Sequence, residues 1–470
     1  MVFSSLEFLL MFLTVTLLVY FVVPMKLRNI VLLAVSLIFY GWGEPVYVFL
    51  MIFTITVDYV FGLLVERGLK RKNKKFAKNS MIAAIVINLV ILGFFKYYDF
   101  FISNLKLIPI FSGLQPLGLD LPIGISFYTF QALSYVIDVY RMDTGAQHSI
   151  AAFGAYVTLY PQLIAGPIVR YKDVDDQLTE REHSVSLFAS GVRTFIAGMG
   201  KKILLANMAG QLWETLKLTP SDSRTVAGAW LGIILYTFQI YFDFSGYSDM
   251  AIGLGKMIGF KFLENFDYPY IAKSITDFWR RWHISLSTWF REYVYIPLGG
   301  NRRGKSRQIF NLLVVWFLTG FWHGASWNYI LWGLYYFLLL MVEKLFLLDK
   351  LKKAPAFISH IYTIFFVIIG WLLFVFEDLG AGMIWLGNMF GVGVETFMSR
   401  SDIWQIVRNL PFLLILAVAS TPLPKKIYNK ITSSSSVAMT AASVGGIFVL
   451  LICMAYLVDS SFNPFLYFRF

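Results

Sequence analysis

Cysteine is nearly missing from this 470-residue chain: Cys453 is the only one, and it lies inside an apolar run. A disulfide framework is thereby excluded. A structural zinc site loses its thiolate ligands, and only five histidines remain to replace them. Charge is scarce too. Asp, Glu, Lys and Arg make up 14% of the residues, 58% are hydrophobic and mean hydropathy is +0.66. Soluble domains average about 25% charged, so the composition excludes that class and demands a polytopic membrane protein. The sequence holds no Walker A lysine loop, H-E-x-x-H, G-x-S-x-G or C-x-x-C motif, so ATP-driven transport and metalloprotease chemistry lose support. No hydrophilic stretch is long enough to fold alone, and the chain reads as one membrane domain, 1–470.

What charge there is has a formal net value of +12, and its placement decides its meaning. Basic residues gather in short loops between apolar segments, most densely from Arg67 to Lys78. That is the positive-inside pattern, and it needs no nucleic acid partner. Candidate cytoplasmic loops lie at 66–79, 170–183, 300–308, 347–355 and 423–431. Residues 1–23 carry no Lys or Arg, whereas Lys26 and Arg28 follow them. This order inverts that of a signal peptide and predicts a retained first helix with its N-terminus outside.

Apolar segments fall near 6–24, 28–43, 45–65, 80–102, 120–140, 149–169, 185–211, 225–246, 309–322, 325–346, 357–376, 404–421 and 437–458. Several are short or broken, so the expectation is an all-α protein with about 11 membrane crossings plus re-entrant pieces. From Ile309 to Met341 there is no Asp, Glu, Lys or Arg. One helix of that length would reach about 50 Å, against roughly 30 Å of hydrocarbon. A break is predicted at Gly320 and Gly324, the glycines that flank His323. Irregular backbone at membrane depth survives only in protein or beside a wet cavity, and a titratable side chain there is a site candidate by default. A neutral imidazole at such a break suits a general base for acyl or proton transfer.

Residues 274–300 differ from the rest. Ser274 with Asp277 has the form of a capping box. Phe278, Trp282, Leu286, Trp289, Phe290 and Tyr293 then share one helical face, with Asp277, Arg280, Arg281, Thr288 and Arg291 opposite. An amphipathic helix at the interface or under the membrane bundle is expected, ended by Pro297 and Gly299–Gly300. His283 falls on the border of its two faces, within reach of protein and water. Asp243, Ser245, Ser248 and Asp249 lie near the end of an apolar segment, where a carboxylate can orient a histidine. Asn265-Phe-Asp-Tyr-Pro-Tyr270 reads as an interfacial turn without chemistry.

These motifs resemble a known family. Asp277–Arg291, Tyr295-Ile-Pro-Leu-Gly-Gly-Asn-Arg302 and Leu318-Thr-Gly-Phe-Trp-His-Gly-Ala-Ser-Trp-Asn328 are similar to those of the membrane-bound O-acyltransferases. Within that family they look like the bacterial branch of the alginate O-acetyltransferase membrane subunit. Asp243–Asp249, Asn265–Tyr270 and Asn463–Phe470 match the same branch. The resemblance covers nearly the whole chain and is densest from 240 to 335. A catalytic core near 240–345 follows.

The resemblance implies a ring of helices around a central tunnel, with His323 as the essential histidine and His283 as the second. Asp243, Asn328 and Asp277 are carried as supporting residues, with no metal and no bound cofactor. It further implies acetyl-CoA as the cytoplasmic acyl donor, an exported SGNH-type acetyltransferase as partner, and a polysaccharide as the final acceptor. The place is a bacterial cell membrane. D-alanyl transfer to teichoic acid from a carrier protein is the related alternative, favoured less by the Pro-Leu-Gly-Gly stretch. A proton-coupled transporter is the alternative from another class, weakened by the lack of an internal repeat.

Overall fold

Long apolar runs can satisfy their backbone in lipid only by coiling into helices, and the computed structural model of the chain bears this out. It describes residues 2–164, 166–459 and 462–466, which are helical with no strand among them. The last four residues of the motif Asn463–Phe470 lie outside the described residues. The chain divides into two compact units, residues 1–195 with 247–263, and 196–246 with 264–470.

The first unit contains α1 (Glu7–Val22), α2 (Arg28–Gly43), α3 (Tyr47–Lys70), α4 (Lys74–Leu105), α5 (Ile125–Arg141) and α6 (Ile150–Thr158). Its membrane helices are joined by buried polar pairs: Asn88 donates to the Asp58 carboxylate at 2.8 Å, and the Lys96 ammonium to Ser126 Oγ at 3.1 Å. Inside a bilayer such pairs act as glue between helices. The helix α7 (Val185–Gly200) begins in this unit. The 32-residue helix α8 (Val226–Met257) contributes its turns up to Gly246 to the second unit and the remainder to the first.

The second unit continues with α9 (Ile275–Arg281), α10 (Ile284–Phe290), α11 (Lys305–His323), α12 (Trp327–Val342), α13 (Ala356–Val375), α14 (Arg400–Ala419) and α15 (Ser436–Asp459). Among the described residues, eight helices are long and apolar enough to cross a membrane. Other apolar stretches form shorter pieces: 120–140 becomes the 17-residue α5, and 149–169 breaks after Thr158. The protein is an all-α, multi-pass membrane protein.

Two local expectations need correction. The break in 309–341 falls at Gly324, whose backbone is extended, and not at Gly320, which lies inside α11. Gly320 is there for packing. A Cβ on it would run into the Tyr329 carbonyl, and one on Gly333 would stand 3.1 Å from the Gly320 Cα. The two glycines let α11 and α12 lie against each other backbone to backbone. The second correction concerns 274–300, which is not one helix. It breaks at His283, which takes a left-handed conformation with φ 44°. The amphipathic division survives the break: Phe278, Trp282, Leu286, Trp289, Phe290 and Tyr293 are all buried, and Arg280 and Arg291 are exposed.

Candidate active site

His323 is the last residue of α11, and the three residues 324–326 turn the chain into α12. Its imidazole is buried, 3% exposed. Three aromatic rings meet it nearly at right angles: Trp322 at 5.0 Å, Trp332 at 5.0 Å and Phe374 at 5.4 Å between centroids. Phe374 is held in turn by Asn328, whose amide donates to the Phe374 carbonyl at 3.1 Å. Asn328, predicted as a supporting residue, thus braces one wall of the histidine's surroundings.

His283 belongs to the same unit. It is 1% exposed, so the expectation that it keeps access to water from a helix border is corrected. Its Nδ1 lies 3.1 Å from Asn265 Oδ1, and its ring meets Phe244 of α8 edge-on at 4.7 Å. The same Asn265 oxygen accepts from the Ser285 backbone N–H at 3.1 Å and the Ser285 hydroxyl at 2.9 Å. A backbone N–H only donates, so the atom facing it must be the amide oxygen. His283 Nδ1 must then carry the proton it donates to that oxygen. In the neutral ring Nε2 is left as the basic nitrogen.

Burial also pushes the His283 imidazolium down to about 3, which keeps the ring neutral at physiological pH. The left-handed backbone costs on the order of 1 kcal/mol. It is paid against the Asn265 clamp, whose main-chain carbonyl also accepts from Ile284 N at 3.0 Å. The turn 265–270, to which sequence reasoning gave no chemistry, therefore positions a candidate site residue. The two imidazoles both pack on the Trp322 indole, at 6.2 Å for His283 and 5.0 Å for His323.

A further residue escaped the sequence reading. Glu343, buried at the end of α12, accepts from the backbone N–H groups of Ile275 and Thr276 at 2.6 and 2.8 Å and from the Thr276 hydroxyl at 2.7 Å. A carboxylate at a helix start is favoured by the unpaired N–H groups there. This one ties α9, which leads to His283, to the helix that follows His323. Its partners are 67 and 68 positions away, and no local pattern announces it.

The other supporting residues make different contacts. The Ser274 side chain accepts from Asp277 N at 2.9 Å as expected. The Asp277 carboxylate caps Lys273 N at 3.3 Å and pairs with Arg281 at 2.9 Å. It serves the helix start. Asp243, expected to orient a histidine, makes contacts with a lysine and with the C-terminal segment. Its carboxylate pairs with the buried Lys202 at 2.6 Å and accepts from Leu466 N at 2.9 Å, while the Lys202 ammonium donates to the Pro464 carbonyl. Asp243 and Lys202 fasten the segment 463–466, and Asn207 adds a 3.2 Å hydrogen bond to Asn463. Ser248 and Asp249 fall in the first unit.

The membrane-bound O-acyltransferase family model matches residues 143–384, a span that contains both histidines, Asn265 and Glu343. The chain belongs to the membrane-bound O-acyltransferase family and is an acyltransferase. Over the whole of both chains it is 39% identical to a Pseudomonas putida protein named probable alginate O-acetylase AlgI. It is 32% identical to the peptidoglycan O-acetyltransferase of Helicobacter pylori, over 83% of this chain and 80% of that one. To the teichoic acid D-alanyltransferase of Streptococcus thermophilus it is 30% identical over 48% of this chain and 58% of that one.

Proposed function

We propose that the protein takes an acetyl group from cytoplasmic acetyl-CoA, in a bacterial cell membrane, for O-acetylation of an exported polysaccharide, and that His323 is the general base. One observation carries this reading: two buried histidines at two helix breaks share the Trp322 indole inside the segment that defines an acyltransferase family. The full-length likeness to an alginate O-acetylase supports acetyl transfer to a polysaccharide over D-alanyl transfer, whose relative matches about half of the chain. Acetyl-CoA is a substrate, and an exported SGNH-type transferase is the expected onward partner.

In this reading His323 accepts the proton of the acceptor hydroxyl as its oxygen attacks the thioester carbonyl. The C–S bond breaks, and the leaving thiolate takes a proton back from the imidazolium. An acyl-histidine intermediate is the less favoured route. CoA is multiply charged and crosses hydrocarbon at great cost, so the acetyl group alone would traverse the membrane. Because His323 is buried, the reading requires a passage to it, opened by movement of its aromatic walls.

His283, with Nδ1 fixed by Asn265, would offer Nε2 toward donor or acceptor as the second site residue. The test is His323→Ala in cells that export the acetylated glycan. Acetyl content should fall to background with the membrane level of the protein unchanged. Undiminished acetylation at normal protein level refutes the role.

A further inference from the structure

The first unit holds a cluster of cations of its own. Tyr20, fully buried at the end of α1, donates to the Ile258 carbonyl at 2.8 Å and lies 2.9 Å from His183 Nε2. The Arg28 guanidinium reaches the same imidazole at 3.1 Å and lies over the Tyr20 and Phe21 rings at 5.0 and 5.6 Å. Arg181, 9% exposed, stacks over Phe260 at 4.7 Å and donates to Asn29 at 2.8 Å. Among the described residues, neither guanidinium has a carboxylate within 4.0 Å, and the Nε–H of each is buried without an acceptor. Glu180 and Glu182, the acids on either side of Arg181, are exposed, and Glu182 is paired with Lys261 at 3.2 Å. Burial, Arg28 and Arg181 together hold the His183 imidazole below its usual value, so it stays neutral and does not add to the repulsion.

Arg181 is buried and Arg28 half-buried, and two such cations without a counter-charge are costly unless an anion completes the set. Beside them lies a cavity of about 290 Å3 lined by Phe21, His183, Ser184, Val185, Phe188, Lys256 and Met257. It opens on the first turn of α7, the positive end of a 16-residue helix. Its apolar wall is unusually open, with Val185 88% and Phe21 41% exposed.

We propose that this cluster and cavity form a binding site for an anionic phospholipid, with the phosphate on the Arg28–His183–Arg181 group and an acyl chain along Phe21, Val185 and Phe188. Guanidinium suits phosphate because its planar N–H fork matches two phosphate oxygens. An exposed apolar wall at the end of a membrane helix meets lipid chains, whereas a water-soluble phosphate compound gains nothing from it. The site is independent of the acyl-transfer reading.

The test is to purify the full chain from nanodiscs containing phosphatidylglycerol and phosphatidylcholine and to count retained lipid by mass spectrometry. Wild-type protein should retain phosphatidylglycerol in preference to phosphatidylcholine, at about one per chain. Arg28→Gln should lower that retention about tenfold. Val185→Trp, a change at an exposed position that leaves every cation in place, should lower it as well and decides the matter if Arg28→Gln does not fold. Unchanged retention in both variants overturns the proposal. So does displacement of the lipid by millimolar inorganic phosphate or by CoA, which would assign the cations to a soluble phosphate.

Discussion

His323 and His283 occupy two different kinds of chain break, and the contrast separates what holds a ring in place from what assigns its protons. At His323 the helix stops and the chain runs extended through Gly324, with the imidazole set edge-on among Trp322, Trp332 and Phe374. At His283 the chain turns through a left-handed residue, and Asn265 with Ser285 dictates which nitrogen carries the proton. Rings restrict where an imidazole lies without choosing a tautomer. An amide oxygen that already receives a backbone N–H chooses one. A general base must gain and release a proton in each turnover; in the proposed reading that task falls to His323, with the Asn265-clamped His283 as the second site residue.

The largest effect expected is on His323: replacement by Ala should cost about 10²–10⁴ in acyl-transfer rate, measured as acetyl-CoA turnover in proteoliposomes. If His283→Gln costs more than His323→Ala, the division of roles drawn here is reversed. Next is the Asp243–Lys202 pair. Asp243→Ala leaves a buried ammonium without its partner and should destabilise the protein by about 3–5 kcal/mol, read from thermal unfolding in detergent. A stable protein with lost turnover would instead return Asp243 to the site.

Asn265→Ala should lower kcat about 10–100-fold by freeing the His283 tautomer, with the folded fraction checked by the same melt. Glu343→Gln should weaken the start of α9 and lower stability by about 1–3 kcal/mol.

A pH experiment sharpens the contrast from the other side. His283 has its folded value depressed to about 3 from 6.5, so between these limits the unfolded chain binds the extra proton. Stability should therefore be full above pH 6.5 and fall as pH drops toward 3. His283→Gln should flatten that acid limb relative to wild type, as seen in melting temperature against pH. The smallest effect is expected for Asp277→Asn, about 1 kcal/mol or less through the cap and the half-exposed Arg281 pair, with turnover unchanged.

Some of this was readable from residues alone. The absence of charge from Ile309 to Met341 forced a break beside His323, because one straight helix would overrun the bilayer. The break at Gly324 followed. Gly320 was misjudged because a glycine that bends a helix and one that admits a neighbouring backbone look alike in sequence. Periodicity in 274–300 gave the right buried face, since both halves of the broken helix keep their apolar residues inward. It gave no hint of the break itself, which depends on Asn265 catching His283 from 18 positions away.

The chain by itself determined an all-helical membrane protein, the family motifs and the placement of one histidine at a helix end. Those follow from spacing, composition and the cost of unpaired backbone in lipid, all of which are local or additive. Tertiary structure alone decided that Asp243 serves Lys202 and the segment 463–466, that Glu343 caps α9, and that Asn265 fixes a proton on His283. Each of these is a meeting of residues 18 to 223 positions apart. A buried polar group takes whichever partner packing brings within hydrogen-bonding distance, and sequence spacing does not encode that choice.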